Sequence, residues 1–118
     1  MARGRVLVVD DDPAIRRVVS EILALEGYAV QAAANGAEAL ALLTPELPTL
    51  VLLDMRMPVL DGWGFIAALR AQALDVPVCV MTAAQDAEAW AKEVAIPTYL
   101  AKPFELSHLL AVVERACA

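Results

Sequence analysis

Along the chain, apolar residues gather in short runs that each stop at a polar one. Arg5-Val6-Leu7-Val8-Val9 stops at Asp10, Leu50-Val51-Leu52-Leu53 at Asp54, residues 77–81 at Thr82, and residues 97–101 at Lys102-Pro103. A run without two-residue alternation reads as a strand covered on both faces, as a parallel sheet requires, so these four predict buried strands. Residues 28–33 are weaker and more polar and predict a strand at a sheet edge.

Between the strands the spacing becomes helical. Asp12 as N-cap and Pro13 at the first helical position start one helix, with Ile15, Val18, Val19, Ile22 and Leu23 on one face and Gly27 ending it. Asn35-Gly36-Ala37-Glu38 has the form of a capped start for a short helix that ends near Thr44-Pro45. Asp61-Gly62 leads into a third, with Phe65, Ile66 and Leu69 inward, that ends before Asp75. After a small-residue loop, Asp86 is expected to cap a fourth, with Ala87, Trp90, Ala91 and Val94 inward. Leu106, Leu109, Leu110 and Val113 mark the buried face of a fifth. Strand and helix alternate five times without linker or repeat, which predicts one α/β domain over residues 1–118, a parallel sheet with helices on both faces. Of the two common doubly wound orders, five strands favour 2-1-3-4-5, with its switch point between the first and third strands.

Composition narrows the class. With 60% hydrophobic and 20% charged residues the chain is not disordered, and its apolar runs are too short and broken to span a bilayer. Met1-Ala2-Arg3-Gly4-Arg5 leads straight into a strand and not into a signal peptide, so a cytoplasmic protein with no membrane partner is expected. A net charge of −6 argues against direct nucleic-acid binding, which needs clustered Lys and Arg. Cys79 and Cys117 lack metal-site spacing and read as reduced thiols.

The predicted order changes the meaning of the strand ends. It puts Asp10 and Asp11 beside Asp54, with Thr82 and Lys102 arriving from the next two strands, at the sheet edge where ligands of open α/β folds bind. Carboxylates held close together repel and either keep a proton or bind a cation. Oxygen ligands select a hard ion, and Mg²⁺ takes one or two carboxylates plus phosphate oxygens. Asp54, alone at its strand end, is the natural nucleophile toward a phosphoryl group. Asp10 and Asp11 are then the metal holders, and the Lys102 ammonium neutralises charge on the transferring group. Plainer roles compete: Asp54 as a cap or loop acid, Asp10 to Asp12 as a redundant cap, Lys102 as a solvated lysine, Thr82 as a β-branched strand end. Three acids in a row exceed what a cap needs.

The acidic cluster after the first strand, Leu53-Asp54-Met55-Arg56-Met57-Pro58, Met81-Thr82-Ala83 and Tyr99-Leu100-Ala101-Lys102-Pro103-Phe104 together resemble a response-regulator receiver domain, over essentially the whole chain. The resemblance implies the flavodoxin-like fold of two-component signalling receivers. It implies that Asp54 accepts phosphate from a histidine-kinase phosphohistidine, with Asp11 binding Mg²⁺ directly, Asp10 through water, and the Arg56 backbone carbonyl adding a ligand. Lys102 would contact the phosphoryl group and carry a cis peptide to Pro103. Thr82 would swing its hydroxyl to a phosphoryl oxygen while Tyr99 changes rotamer, altering the face of the fourth helix, last strand and last helix. The implied partners are a sensor histidine kinase or histidine phosphotransfer protein, a downstream target or output domain, and a second copy on phosphorylation. With no output domain after the last helix, a stand-alone receiver and a piece of a longer regulator are both expected forms.

Some positions depart from the family pattern. Arg56 stands two after the acceptor, where it can reach the acidic pocket or lie in solvent, and Ala84, two after Thr82, has no side chain to obstruct water. The loop after Thr82 is about two residues short, and Ala95-Ile96-Pro97 replaces the usual Gly-Ala and acidic residues. Helical spacing favours core packing for Trp90, leaves Trp63 open between core and surface, and makes His108 a partly exposed structural residue. Three other classes share parts of the pattern. An aspartate-nucleophile phosphatase would use Asp10 of Asp10-x-Asp12; a flavin carrier has the same fold, but the acidic first loop repels a phosphate; an adaptor would keep the fold and never turn over phosphate.

Overall fold

The four apolar runs and the polar edge run pair into a single parallel sheet. Among the described residues, 3–44 and 46–118 of a computed structural model, the strands are β1 (Arg5–Val9), β2 (Ala29–Ala33), β3 (Leu50–Leu53), β4 (Val78–Ala83) and β5 (Thr98–Lys102). They alternate with the helices α1 (Pro13–Leu25), α2 (Gly36–Leu42), α3 (Gly62–Ala71), α4 (Ala84–Glu93) and α5 (Leu106–Ala116). The order is β2-β1-β3-β4-β5, as the alternation predicts, with β2 at an edge. Met1, Ala2 and Pro45, on which the N-terminal lead-in and the end of the second predicted helix fall, lie outside the described residues.

Both faces of the central strands are apolar because successive side chains point to opposite sides. Val6 and Val8 of β1, Leu50 and Leu52 of β3 and Cys79 and Met81 of β4 pack with Val19 and Leu23 of α1 and Leu109 and Val113 of α5. Leu7 and Val9, Val51 and Leu53, and Val78 and Val80 pack on the other face with Ala39 of α2, Phe65, Ile66 and Leu69 of α3 and Ala91 of α4. Each fully buried Val, Leu or Phe contributes about 1.5–3 kcal/mol of transfer free energy, so burial on both faces holds the central strands between the helices.

Local signals set most helix ends. The Asp12 carboxylate accepts from the Ala14 N–H at 2.9 Å, and the Asp61 carboxylate from the Gly64 N–H at 2.8 Å. Asn35 accepts from the Glu38 N–H at 2.9 Å, while the Glu38 carboxylate reaches back to the Ala34 N–H at 3.0 Å. The ends of α1, α3 and α4 share one pattern, in which Tyr28, Leu74 and Ile96 donate back to Leu23, Leu69 and Ala91. The residue before each donor is left-handed, Gly27 at φ 94°, Ala73 at 54° and Ala95 at 58°.

Three expectations are corrected. Asp86 does not cap α4: the helix starts three residues earlier than an Asp86 cap would set it, directly after β4, with Ala83 as its N-cap and no side-chain cap, and Asp86 lies in the first turn, where its charge faces the helix dipole. Leu106 is exposed and Leu110 only half-buried. Helical side chains lean toward the N-terminus, so Leu106, at the first position, leans past the helix end into solvent. Val18 is likewise exposed, and with Ile15, Ile22 and Phe104 it lines an open apolar groove of about 470 Å³. The buried stripe of α1 is narrower than its apolar stripe.

The turn between β3 and α3 carries strain. The Leu60 N–H donates to the Pro58 carbonyl at 2.8 Å, closing a three-residue turn around Val59 at φ 70°. A β-branched residue in that region is a steric outlier, and the Val59 side chain is 82% exposed, so packing returns nothing. Val59→Gly is therefore expected to raise stability by about 1 kcal/mol, the left-handed penalty less the extra freedom of glycine when unfolded. A higher denaturation midpoint at unchanged m-value is the measurement.

Candidate functional site

The site forms where β1 and β3 end side by side. Val9 pairs with Leu53 in the register of these strands, so the residues that follow, Asp10 and Asp54, emerge together. Each is locked into the sheet by its own backbone, the Asp10 N–H donating to the Ala33 carbonyl at 3.1 Å and the Asp54 N–H to the Val9 carbonyl at 2.9 Å. Asp11 follows from the same strand end, and one carboxylate oxygen from each of Asp10, Asp11 and Asp54 lies within 4.8 Å of the others. Asp10 is fully buried, Asp54 is buried, and Asp11 is exposed.

Lys102 reaches this cluster from the end of β5. Its ammonium stands 2.6 Å from one Asp10 oxygen and 3.6 Å from Asp54, and its peptide bond to Pro103 is cis. The other Asp10 oxygen accepts from the Asp12 N–H at 2.9 Å, and the Asp10 carbonyl accepts from Arg16 at 2.7 Å. Asp10 is thus fully engaged. Asp54 is not, and burial, opposed by Lys102 and reinforced by Asp10 and Asp11, pushes its carboxyl up from the ordinary 3.8 to about 6.

The chain passes close behind Asp54. A Cβ on Gly62 would stand 2.7 Å from the Met55 Cα and 3.0 Å from the Asp54 carbonyl, and the Gly62 N–H donates to the Met55 carbonyl at 2.9 Å. Only glycine lets the start of α3 press on the end of the Asp54 strand here. Thr82 is buried near the end of β4, paired in register with Ala101. Among the described residues no hydrogen bond joins it to Asp54 or Lys102. Tyr99, paired with Val80, is 37% exposed.

Asp11, Arg56, Met57, Asp61 and Trp63 line an open cleft of about 500 Å³ next to the carboxylates. Sequence reasoning did not foresee what Arg56 does there. Its guanidinium lies 5.0 Å from the centroid of the Trp90 ring, and Trp90 meets Trp63 edge to face at 5.0 Å. The Trp63 indole N–H donates to Glu93 at 3.0 Å. No local pattern connects positions so far apart in the chain. Cys79 is buried and its thiol is pushed up to about 12, so it is inert packing. His108 is exposed on α5.

Three acids facing one ammonium form an oxygen-only donor set with surplus negative charge. Such a set suits a small hard cation, whose coordinating oxygens stand about 3–4 Å apart at bond lengths of 2.0–2.1 Å. Among the described residues no helix is long and apolar enough to cross a membrane.

Comparison with known proteins gives this geometry a family. Residues 6–114 match the family model described as response regulator receiver domain. The chain is 45% identical over 112 residues to the transcriptional regulatory protein PrrA of Mycobacterium tuberculosis, covering 93% of this chain and 48% of that one. It is 40% identical over 118 residues to the DNA-binding transcriptional regulator NtrC of Escherichia coli, covering 98% of this chain and 25% of that protein. The chain therefore spans about half the length of PrrA, or less of such relatives. Among solved structures, the chemotaxis response regulator CheY4 of Vibrio cholerae superposes with a TM-score of 0.85 at 36% identity, covering 98% of each chain. The receiver domain of NtrX from Brucella abortus does so with 0.85 at 32% identity, covering 95% of this chain and 97% of that one. Its sheet order, the acids at the ends of β1 and β3, and a family match over nearly its whole length make the chain a member of the response regulator receiver domain family of two-component systems.

Proposed function

We propose that residues 1–118 form one phosphoacceptor domain in which Asp54 takes a phosphoryl group from a phosphohistidine, in a Mg²⁺-dependent reaction, and thereby switches an output face. The observation that carries this reading is the convergence of Asp10, Asp11 and Asp54 within 4.8 Å beside the Lys102 ammonium. Asp54 is the acceptor because its buried carboxylate is the less committed of the two, with Lys102 at 3.6 Å and a backbone hydrogen bond from Met55; Asp10 is bound to Lys102 at 2.6 Å and to the Asp12 N–H. In the transfer an Asp54 oxygen attacks phosphorus and the P–N bond to the donor imidazole breaks. Its electron pair stays on the ring nitrogen, which then takes a proton. Asp10, Asp11, Asp54 and the Arg56 carbonyl would hold the ion, which when bound supplies charge neutralisation on the phosphoryl oxygens. Lys102, 3.6 Å from Asp54, is placed to pair with the same oxygens.

Thr82 and Tyr99 are the switch residues of this reading. Moving a two-state element from mostly off to mostly on takes about 5.5 kcal/mol, and one hydrogen bond to a charged group supplies about 1.5–3 kcal/mol. Thr82 and Lys102 together approach that requirement, and either alone falls short. The partners follow: a sensor histidine kinase or histidine phosphotransfer protein as donor, a downstream protein or output domain as reader, and a second copy of the phosphorylated chain. A cytoplasmic setting suits such donors.

The decisive experiment is mass spectrometry with peptide mapping after incubation with acetyl phosphate and Mg²⁺. Phosphate on Asp54, absent without Mg²⁺ and absent in Asp54→Asn, is expected. Phosphate on Asp10 would mark an aspartate-nucleophile phosphatase, and no phosphate a non-phosphorylated adaptor.

Thr82→Ala is expected to accept phosphate and to respond weakly. Amide NMR shifts across α4 and β5 on adding beryllofluoride and Mg²⁺ measure this, and a full response in the variant would refute the role.

The raised Asp54 pKa sets a pH dependence. Between about 3.8 and about 6 the folded state holds the Asp54 proton more tightly than the unfolded state, so rising pH in that window favours unfolding. Without metal, the stability advantage of Asp54→Asn over the wild type should be nil below the lower value, grow through the window and stay flat above it. Thermal melts in Mg²⁺-free buffers across pH 3.5–8 would read about this range. An advantage that instead shrinks as pH rises would mean that the carboxyl is not destabilised by its surroundings.

A further inference from the structure

Arg56 is a cation beside an acidic cleft, yet among the described residues no ion pair joins it to an acid. It shares the cleft with Asp11 and Asp61, while its guanidinium lies 5.0 Å from the centroid of the Trp90 ring. The ring is held in place. Trp90 meets Trp63 at 5.0 Å with an interplanar angle of 64°, the Trp63 indole N–H is tied to Glu93 at 3.0 Å, and both rings pack against the buried cluster of α2, α3 and α4. A ring fixed from two sides offers a guanidinium its face without further ordering.

We infer that Trp90 is a positioning residue for Arg56: its ring keeps the guanidinium off Asp11 and Asp54, leaving those carboxylates free for a divalent cation. A guanidinium and Mg²⁺ compete for the same oxygens, because each satisfies the surplus negative charge of the cluster. An exposed cation–π contact is at least as strong as a typical exposed ion pair, so the ring is enough to shift the balance toward a rest position of Arg56 away from the acids. The inference rests on the reading of Asp10, Asp11 and Asp54 as the Mg²⁺ site.

The test is a Mg²⁺ titration of the full chain followed by backbone amide NMR shifts at Asp11 and Met55, with Asp11→Asn as the control for the site. Trp90→Ala is expected to weaken Mg²⁺ binding by roughly two- to fivefold, the range that an exposed cation–π contact spans. Trp90→Phe should hold most of the affinity. Arg56→Ala should bind at least as well as the wild type, and the double variant should match Arg56→Ala. In the Mg²⁺-free wild type, the Arg56 δ-methylene protons should be shifted upfield by the ring current, a shift kept in Trp90→Phe and lost in Trp90→Ala.

Unchanged affinity in Trp90→Ala, or a double variant as weak as Trp90→Ala alone, would overturn the positioning role, the latter because the loss would then be structural. If Trp90→Ala does not fold, the wild-type Arg56 shifts and the Arg56→Ala affinity still decide: unshifted δ-protons, or weaker binding on removing Arg56, overturn it. A wild type that binds no Mg²⁺, or binds it equally well with Asp11→Asn, overturns the site reading itself and the positioning role with it, before any Trp90 variant is measured.

Discussion

The ion pair between Lys102 and the fully buried Asp10, 2.6 Å apart, is the contact on which the rest of the site depends. Removing one partner of such a pair leaves an uncompensated buried charge, at a cost of about 3–5 kcal/mol. The pair joins the end of β5 to the end of β1, across the two strands that lie between them, and so ties together the rim formed by four of the five strands. It also consumes the cluster's one lysine. Asp54 and Asp11 then share what is left of the positive field, and burial turns that deficit into a raised proton affinity at Asp54. The same deficit favours a divalent cation.

Such a cluster can persist only on a frame that does not relax to relieve it. In β1 and β3 every residue from Val6 to Val9 and from Leu50 to Leu53 is buried. A slip of one residue would exchange the two faces of either strand and expose nothing useful, since both faces are apolar; what it would break is the match of side-chain sizes against α1 and α5 on one side and α2, α3 and α4 on the other. Packing on both faces thus supplies the force that keeps like charges together. Gly62 adds a second constraint, since the start of α3 touches the Asp54 backbone and blocks its retreat.

Much of this was legible in the sequence because burial and charge change abruptly at the strand ends. Asp10, Asp54 and Lys102 each interrupt an apolar run, and the five-strand alternation specifies which ends are neighbours. The start of α4 was not legible. Ala83 and Ala84 carry no capping side chain, so the nearest acid, Asp86, drew the boundary three residues late, whereas the helix begins where β4 leaves the sheet. The left-handed residues were hidden for a related reason: Val59, Ala73 and Ala95 occupy positions where a glycine would have announced the turn, and the hydrogen bonds of the turns override their side-chain preferences. Leu106 and Val18 matched the helical period and missed the core, because period identifies a face while burial depends on which part of that face the sheet covers. The pairing of Arg56 with Trp90 depends on a tertiary contact between a loop and a helix that no spacing encodes.

The directness of the β4 to α4 junction has a mechanical consequence. A flexible loop between a strand and a helix absorbs displacement at the strand end, but here one residue, Ala83, separates Thr82 from the first residue of α4. A hydroxyl drawn toward Asp54 would therefore pull on the helix with almost no slack. Farther along the same helix, Trp90 meets the loop after Asp54 through Arg56, and Glu93, at its last residue, holds Trp63 of α3. α4 is thus attached to the surroundings of Asp54 both at its junction with β4 and, about two turns on, at Trp90. A rigid rod held at two points responds as one body: displacement at Thr82 must be matched at Trp90 or be resisted there. If Thr82 moves on phosphorylation as proposed, the aromatic contact would set how much of that movement reaches the exposed face of α4, and the rest position of Arg56 would be coupled to it.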